Sequence, residues 1–445
     1  MRPKQQKKAD HDDLFKARLD QIINMRHELV TLADKIDWAW LDEQIAPCFS
    51  EHGRPGEPVR FMIGMFILKH TYGLSDEGIW NRWVNDPYFQ YFTGEEFFQH
   101  DLPHERSGMT HWRNRIGDKL DILLAESLRL AHDTGALKKS DLARVTVDTT
   151  VQPKNITFPT DAKLLLVAIQ QLGKLAKAEG VELRQSYARV AKTAAMMAGR
   201  YAHAKQFKRM NGRIKFLRTR LGRVIRDIWR KIEGNEGLRA VFTAPLIKAS
   251  QIKGQKQRQR GPKLYSWHAP ETECIAKGKA HKPYEFGVKV SIATTLKRCK
   301  GGQFAIHAKA LPGRPYDGHT LETVIPEIEA LTGATLKRIL ADAGYRGHNA
   351  PGIYKLRVFT TGQKRRVTPA IKRIMKRRAA VEPVIGHLKN GHRMDRNYLA
   401  HRQGDAINPI LAAAGYNFRL ILKWIRLLWL YFWKTLCGAQ TAKSA

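Results

Sequence analysis

The sequence predicts an α/β protein in which a helical insertion interrupts a mixed β-sheet core. An all-helical N-terminal domain precedes this core, and a C-terminal helix follows it. Runs that alternate apolar and β-branched residues with polar ones occur at 143–153 and again between 284 and 360, and such period-two alternation is typical of strands. Between these groups, residues 161–232 have apolar positions at helical spacing, as do segments near both ends of the chain.

The N-terminal segment predicts helices over residues 12–46 and Val59–Tyr72. Gly73 provides a helix stop, and Ser75 caps a following helix that continues through Trp83. Two helices joined by a short turn form the outline of a helix-turn-helix, whose second helix enters a DNA groove. A helical bundle used for dimerisation is an open alternative, because the many Trp and Phe residues suit core contacts better than groove contacts.

The charge balance points to a polyanionic partner. The 445 residues include 77 Lys and Arg against 41 Asp and Glu, a formal net charge of +36. So large an excess favours nucleic acid as the partner, ahead of an anionic membrane. The 43% hydrophobic content is sufficient for two or three domains with substantial cores.

Much of the positive charge lies in a stretch without acids, Leu183–Arg226. Its apolar positions form a seam near heptad spacing, and cations surround that seam. Like charges four residues apart repel on a helix, so an unrelieved run favours phosphate contact, although a solvated face remains the alternative. The predicted DNA-contacting cations of this insertion are Lys208, Arg209, Arg213, Arg220 and Arg223.

Cysteine usage and hydropathy predict a cytoplasmic protein. The four cysteines form no CxxC pair, which argues against a zinc ribbon or a disulfide framework and suits a reducing compartment. The basic N-terminus has no apolar core behind it, so no signal peptide is expected. The most apolar segment, residues 410–433, is interrupted by Arg419, Lys423 and Arg426. We interpret it as an amphipathic helix packed on the protein, with a membrane-surface helix as the alternative.

Three acids stand out from this basic background. Asp148 lies within the strand predicted at 143–153, and Asp342 ends a short apolar strand and is followed by a glycine-flanked turn. Glu382 lies in the helical pattern of 371–390. Each alone could be a cap or a surface residue. Together, on two strands and a helix, they suggest a divalent-metal site, because Mg²⁺ prefers carboxylate oxygens and substrate phosphates.

The surrounding residues resemble a known family. Val147–Gln152, Ala341–Gly347 and the spaced residues Arg378, Glu382 and Lys389 resemble the three acidic motifs of DDE transposases. The closest resemblance is to the bacterial insertion-sequence-five family of the insertion-sequence-four-like superfamily. One position departs from the superfamily signature, since Met375 stands where that signature has Tyr.

The resemblance implies a ribonuclease-H-like catalytic core in which Asp148, Asp342 and Glu382 are the catalytic residues and bind two Mg²⁺ ions, with Mn²⁺ able to substitute. It also implies element ends and target DNA as partners, a homodimer or larger assembly on DNA, no small-molecule cofactor, and association with the bacterial nucleoid.

Several other residues near the acids are expected to contact DNA. Arg378 and Lys389 are expected to hold DNA phosphate, and Tyr345 and Arg346, in the turn after Asp342, to position the substrate strand. The alternatives are an Arg378–Glu382 salt bridge and a plain surface loop. Two further residues have structural interpretations. Pro383 predicts a kink or a helix start, and Asp317 is interpreted as the cap of a helix over 319–331.

The predicted function is that of a DNA transposase that cleaves and transfers strands at the ends of an insertion sequence. The alternatives are a ribonuclease-H-fold nuclease that only hydrolyses DNA, and a catalytically silent DNA-binding regulator derived from a transposase. The predicted domains are a helical N-terminal domain for end binding or dimerisation (1–140), the two parts of the catalytic core (141–161 and 263–402), the basic insertion with its linker (162–262), and the C-terminal amphipathic helix (403–445).

Overall fold

The computed structural model describes residues 17–50, 52, 56–257, 259–276 and 283–441, with side chains through Phe432. The first residues of the predicted N-terminal domain and the last four of the predicted C-terminal helix therefore lie outside the described part. The chain divides into two compact units. The core unit comprises the residues through Pro153 together with those from Val288 onward, and the insertion unit comprises Lys154–Gly287.

The N-terminal part of the core unit is helical, as predicted. Gly73 adopts a left-handed conformation (φ 67°) after the second predicted helix, and the Ser75 side chain accepts a hydrogen bond from Gly78 N, so both the stop and the cap are confirmed. The helices are α1 (Leu19–Ile22), α2 (Glu28–Lys35), α3 (Trp38–Ile45), α4 (Val59–Tyr72), α5 (Asp76–Asn85), α6 (Pro87–Thr93), α7 (Gly108–Ile116), α8 (Ile122–Asp133) and α9 (Lys139–Leu142).

Helix α4 is buried on all its faces, as expected of a helix that is apolar all round. Phe61, Met62 and Phe66 have no exposed surface. Helix α4 therefore has no exposed face that could contact a DNA groove. In α5, Trp80 and Trp83 are buried as well, while Asn81 and Arg82 are exposed. Only α5 therefore offers this helix pair a polar outer face.

A six-stranded mixed sheet follows. Its strands are β1 (Arg144–Pro153), β2 (Glu273–Ala276), β3 (Tyr284–Thr295), β4 (Ala305–Leu311), β5 (Arg338–Ala341) and β6 (Val358–Thr360). The order is β2-β3-β1-β5-β6, with β4 also paired to β3. Strands β1, β5 and β6 run parallel, whereas β4 is antiparallel to β3. The short strand β2, which the sequence patterns did not predict, pairs with the first residues of β3 within the insertion unit.

The insertion unit contains α10 (Asp161–Ala178), α11 (Ala188–His203), α12 (Phe207–Ile232) and α13 (Glu236–Gly254). The predicted seam of α12 is confirmed, since Leu217, Leu221 and Val224 are buried in a core of their own. Helix α13 ends at Gly254, so the linker expected at the end of the insertion begins only after that residue.

The remaining helices of the core unit are α14 (Leu321–Thr332), α15 (Pro369–Met375), α16 (Val381–Gly391) and α17 (His401–Thr441), with a 3₁₀ segment (Lys376–Ala380) between α15 and α16. Pro383 lies in the first turn of α16, so the predicted helix start is confirmed. Helix α17 is amphipathic and packs Leu411, Phe418 and Ile421 into the core. None of the helices in the described part of the chain combines the length and the hydropathy that a membrane span requires.

Candidate active site at the sheet edge

Asp148 lies in the middle of β1 and is almost completely buried, with 8% exposure. Its Oδ1 accepts a hydrogen bond from Thr149 N (2.8 Å), and its Oδ2 accepts one from Arg378 Nη2 (2.8 Å). Burial raises the pKa of the Asp148 carboxyl, and the nearby Asp342 charge adds to that effect, while Arg378 and the Thr149 hydrogen bond oppose it. A buried, polarised carboxylate of this kind is typical of a functional site.

Asp342 immediately follows β5, and its Oδ1 accepts a hydrogen bond from Gly344 N (2.8 Å) at the start of a single 3₁₀ turn. Strands β1 and β5 are parallel, with Arg144 opposite Arg338 and Thr146 opposite Leu340. Extending this register by two residues brings Asp148 opposite Asp342. The two acids therefore meet because matching positions of neighbouring parallel strands point to the same face of the sheet.

Glu382 lies in the first turn of α16, where a helix N-terminus favours negative charge. Its side chain is 63% exposed, and its Oε1 lies 3.6 Å from Arg378 Nη1. The helical pattern predicted over residues 371–390 is divided in the structure, because α15 ends at Met375 and Arg378 lies in the 3₁₀ segment before α16.

Arg378 is the cation that joins the acids. One end of its guanidinium donates to Asp148 and the other faces Glu382, and the side chain is only 19% exposed. The predicted Arg378–Glu382 salt bridge thus exists, but the shorter contact is to Asp148. Within the described part of the chain, no three His, Cys, Asp or Glu side chains already converge as a metal-binding group.

The donor set itself fits a hard divalent cation. Asp148 and Asp342 supply carboxylate oxygens from adjacent strands, close enough for the charge of one to affect the pKa of the other. Glu382 is exposed and belongs to a different element, α16. A cation already bridges Asp148 and Glu382 in the form of the Arg378 guanidinium.

A fourth acid lies beside this group. Asp317 Oδ1 accepts hydrogen bonds from Thr149 Oγ1 (2.8 Å) and Lys289 Nζ (2.9 Å). The prediction that Asp317 caps a helix is wrong, because no side-chain cap bond forms at either the 3₁₀ turn Asp317–Thr320 or α14. The signal that could have revealed this pairing is Lys289, a cation between the buried residues Val288 and Val290 of β3, which requires a counter-charge.

Gly344 allows the carboxylates of Asp342 and Asp317 to lie close together. A Cβ at this position would lie 3.0 Å from Asp342 Oδ1 and 3.1 Å from Asp317 Oδ2. Because these distances are shorter than ordinary contacts, a side chain here would push the carboxylates aside.

Tyr345 is completely buried, so its ring has no surface for a DNA strand to contact. The predicted role of Tyr345 in DNA contact is therefore wrong. Burial raises the pKa of its hydroxyl well above the ordinary value, and the charges of Asp317, Asp148 and Asp342 add to that effect. Tyr345 thus packs beneath the acidic group.

The other predicted DNA-contacting residues have different surroundings. Arg346 is exposed in the turn after Asp342, and Lys389 is half-buried on α16. The insertion cations Lys208, Arg209, Arg213, Arg220 and Arg223 all lie on α12 of the insertion unit. All but Arg220 are exposed, and Arg220 is half-buried with its guanidinium 3.9 Å from the centre of the Phe216 ring.

Comparison with known proteins identifies the family of this chain. Residues 17–115 match the family described as "Transposase domain (DUF772)", and residues 249–418 match the "Transposase DDE domain". The chain belongs to the DDE transposases. The DDE match contains Asp342, Glu382 and Arg378, whereas Asp148 precedes it. As a DDE transposase, the protein is a DNA-binding protein of mobile elements. The family generally uses divalent metal ions.

One curated relative covers part of the transposase. It is an uncharacterized protein, ORF8 in the nfe locus of Rhizobium meliloti, 52% identical over 197 residues, which are 44% of this chain and 95% of the relative. No solved structure matches the chain.

Proposed function

We propose that this transposase cleaves DNA at the ends of an insertion sequence and joins the freed 3′-hydroxyl ends to target DNA. The observation that carries the proposal is the meeting of Asp148 and Asp342 on adjacent parallel strands, with Arg378 bridging from Asp148 to Glu382. We propose Asp148, Asp342 and Glu382 as the catalytic and metal-binding residues. The proposed metal is Mg²⁺, two ions per site, with Mn²⁺ able to substitute.

The sheet supports a ribonuclease-H-like core of the insertion-sequence-five type. With β2 set aside, the strand order is β4-β3-β1-β5-β6. The three consecutive strands β1, β3 and β4 come first, and β5 and β6 add in parallel on the other side of β1. The insertion interrupts the chain between β1 and β3. The domain boundaries predicted from the sequence, and a homodimer or larger assembly on DNA, belong to the same proposal.

In this mechanism the three acids are the proposed metal-binding groups. Thr149 N and Gly344 N orient one oxygen of Asp148 and one of Asp342, and the three acids would hold the metal. When bound, two divalent ions supply the charge that activates water or a 3′-hydroxyl and stabilises the leaving oxygen.

Arg378 and Lys389 then act on the substrate. The guanidinium of Arg378 can exchange its carboxylate partners for a DNA phosphate, which it is suited to bind in a bidentate manner. Lys389, about two turns beyond Glu382 on α16, adds a second positive charge for the same strand. Arg378 thus neutralises the acids before DNA arrives and neutralises phosphate afterwards.

The test is a strand-joining assay with duplexes carrying the ends of the protein's own element, Mg²⁺ and a supercoiled target. We expect joined products that a chelator prevents, with no covalent protein–DNA adduct. Shortened or nicked DNA without joining would support the nuclease alternative. DNA binding with neither reaction would support the silent regulator.

A further inference from the structure

An open cavity of about 370 Å³ lies at the carboxyl ends of β5 and β6. It is adjacent to Asp342, because the loop that follows β6 is tied to β5 by hydrogen bonds from Thr361 N (3.1 Å) and Thr361 Oγ1 (3.4 Å) to Ala341 O. Carboxyl ends of parallel strands are where α/β sheets bind ligands. The residues that line this β6 cavity are Arg346, Gly347, His348, Val358, Thr360, Gln363, Lys364, Arg365 and Arg366.

The lining is cationic and contains no acid. Arg346, Lys364, Arg365 and Arg366 all face the cavity, and all four are exposed. Within the described part of the chain, none of the four has an ion-pair partner. Four unneutralised cations around one concave surface raise the local concentration of anions and favour a multiply charged one.

The loop that carries three of these cations is braced. Gln363 Oε1 accepts a hydrogen bond from Thr360 N (3.2 Å), and Gln363 Nε2 donates one to Arg365 O (3.0 Å). Gly362 has φ +81°, and a Cβ there would lie 2.6 Å from Arg346 Nη2. Arg366 also occupies the left-handed region, with φ 61°. Strained backbone of this kind concentrates at ligand-binding positions.

His348 adds a polar group without a partner. Its Nδ1 is buried and makes no hydrogen bond. Burial and the nearby charges of Lys355 and Arg366 lower the pKa of the His348 imidazole. The His348 ring therefore contributes a polar, hydrogen-bonding group to the cavity lining.

We propose that the β6 cavity binds a backbone phosphate of the DNA strand that crosses the active site. The proposal rests on the proposed function. Helix α16, with Glu382 and Lys389, packs against β1, whereas β6 lies on the opposite side of β5. A strand held by α16 and passing Asp342 therefore continues into the β6 cavity. The phosphate belongs either to DNA flanking the element before cleavage or to target DNA during joining.

The experiment compares two triple variants of the full chain. The cavity variant carries Lys364→Gln, Arg365→Gln and Arg366→Gln. The control variant carries Lys139→Gln, Lys297→Gln and Lys337→Gln, which remove three exposed cations from the opposite edge of the sheet, near the start of β1. Binding is measured across a salt series on an element-end duplex that stops at the cleavage position and on one extended into flanking DNA. Joining of pre-cleaved ends to a target is measured separately.

A weaker affinity of the cavity variant for the extended duplex alone, with a log–log salt slope shallower by at least about 0.9, would identify flanking DNA as the source of the phosphate. Normal binding of both duplexes with slower joining of pre-cleaved ends would identify target DNA. Equal behaviour of the cavity and control variants in every assay would overturn the inference. If the unaltered protein neither cleaves nor joins while the cavity variant still shows the shallower salt slope, the proposed function fails and the phosphate site stands.

Discussion

The acids of the core unit, Asp148, Asp317 and Asp342, and the cations of helix α12 in the insertion unit differ in how their charged side chains are held. Asp148 is held by hydrogen bonds from Thr149 N and Arg378, and Asp317 by hydrogen bonds from Thr149 of β1 and Lys289 of β3. On α12, four of the five insertion cations are exposed around a buried apolar seam.

The two arrangements suit different kinds of recognition. Buried, hydrogen-bonded carboxylates have fixed positions, which a metal-dependent reaction requires. Exposed cations on a helix have many rotamers and strong solvent screening, which suits binding to DNA phosphates of any sequence. Substitutions in the two regions should therefore have separable effects, on the rate of reaction in one case and on affinity in the other.

The largest effect is expected when any of the three proposed catalytic acids is removed. Asp148→Ala, Asp342→Ala and Glu382→Ala should each reduce the rate of strand joining by roughly 10³ or more, with DNA affinity nearly unchanged. The measurement is the joining rate at saturating protein, together with the dissociation constant on the same duplex.

The control for these variants is Glu43→Gln, which removes an exposed acid on α3. Because residues of one catalytic unit are not additive, the Asp148→Ala/Asp342→Ala double variant should be little slower than either single one. A Glu382→Ala protein that joins DNA at the rate of the unaltered protein would exclude Glu382 from the site.

The next effect concerns the insertion cations. Replacing Lys208, Arg209, Arg213, Arg220 and Arg223 with Gln should weaken binding to all duplexes together and reduce the log–log salt slope by about 0.9 for each phosphate that is no longer neutralised. We expect the reduction mainly from the four exposed cations, because Arg220 is half-buried against Phe216.

The comparison for this variant is Lys174→Gln with Lys177→Gln, exposed cations on α10. It is made on one end-containing duplex and one unrelated duplex. Salt slopes that match those of the unaltered protein would mean that the α12 charges form a solvated face.

A smaller effect is expected from Arg378→Gln. Because the guanidinium bridges Asp148 and Glu382, its removal should strengthen Mn²⁺ binding in the absence of DNA by about tenfold, which corresponds to about 1.4 kcal/mol. The matched control is Arg377→Gln, which removes the exposed neighbouring cation. Unchanged or weaker Mn²⁺ binding by Arg378→Gln would show that Arg378 does not compete with the metal.

The same variant has a consequence for pH dependence. Arg378 lowers the pKa of Asp148, which burial raises, so Arg378→Gln should move the acidic limb of the joining rate to higher pH. The folded-state pKa of Asp148 lies above the unfolded value. Its contribution to stability is therefore present below the unfolded pKa and lost as the pH rises through the folded pKa. Joining-rate profiles of the two proteins across acidic pH test the shift.

The smallest effect is expected from Tyr345→Phe. The ring is fully buried, so removal of the hydroxyl should leave DNA affinity unchanged, whereas Tyr345→Ala should lower the free energy of unfolding by about 3–5 kcal/mol. Denaturant unfolding and a DNA titration of both variants test this. A DNA-binding defect in a stably folded Tyr345→Phe protein would restore the residue to the DNA interface.

Local patterns in the sequence predict much of the fold. Strand β1, helix α4 with its Gly73 stop, and the α12 seam follow from alternation, capping and heptad spacing. The short strand β2 is harder to predict, because it has only four residues. The pairing of Asp317 with Lys289 and Thr149 depends on which strands become neighbours, and residue spacing carries no information about that. The burial of Tyr345 has the same cause.

The most direct test of the shared metal site is to measure Mn²⁺ binding by the full chain. The free ion is detected by electron paramagnetic resonance. The unaltered protein is compared with Asp148→Asn, Asp342→Asn and Glu382→Gln, each of which preserves side-chain shape and removes one charge. We predict that all three substitutions weaken the same binding event, because the acids form one site. Mn²⁺ binding that is equal in all four proteins would contradict a site built from these three acids.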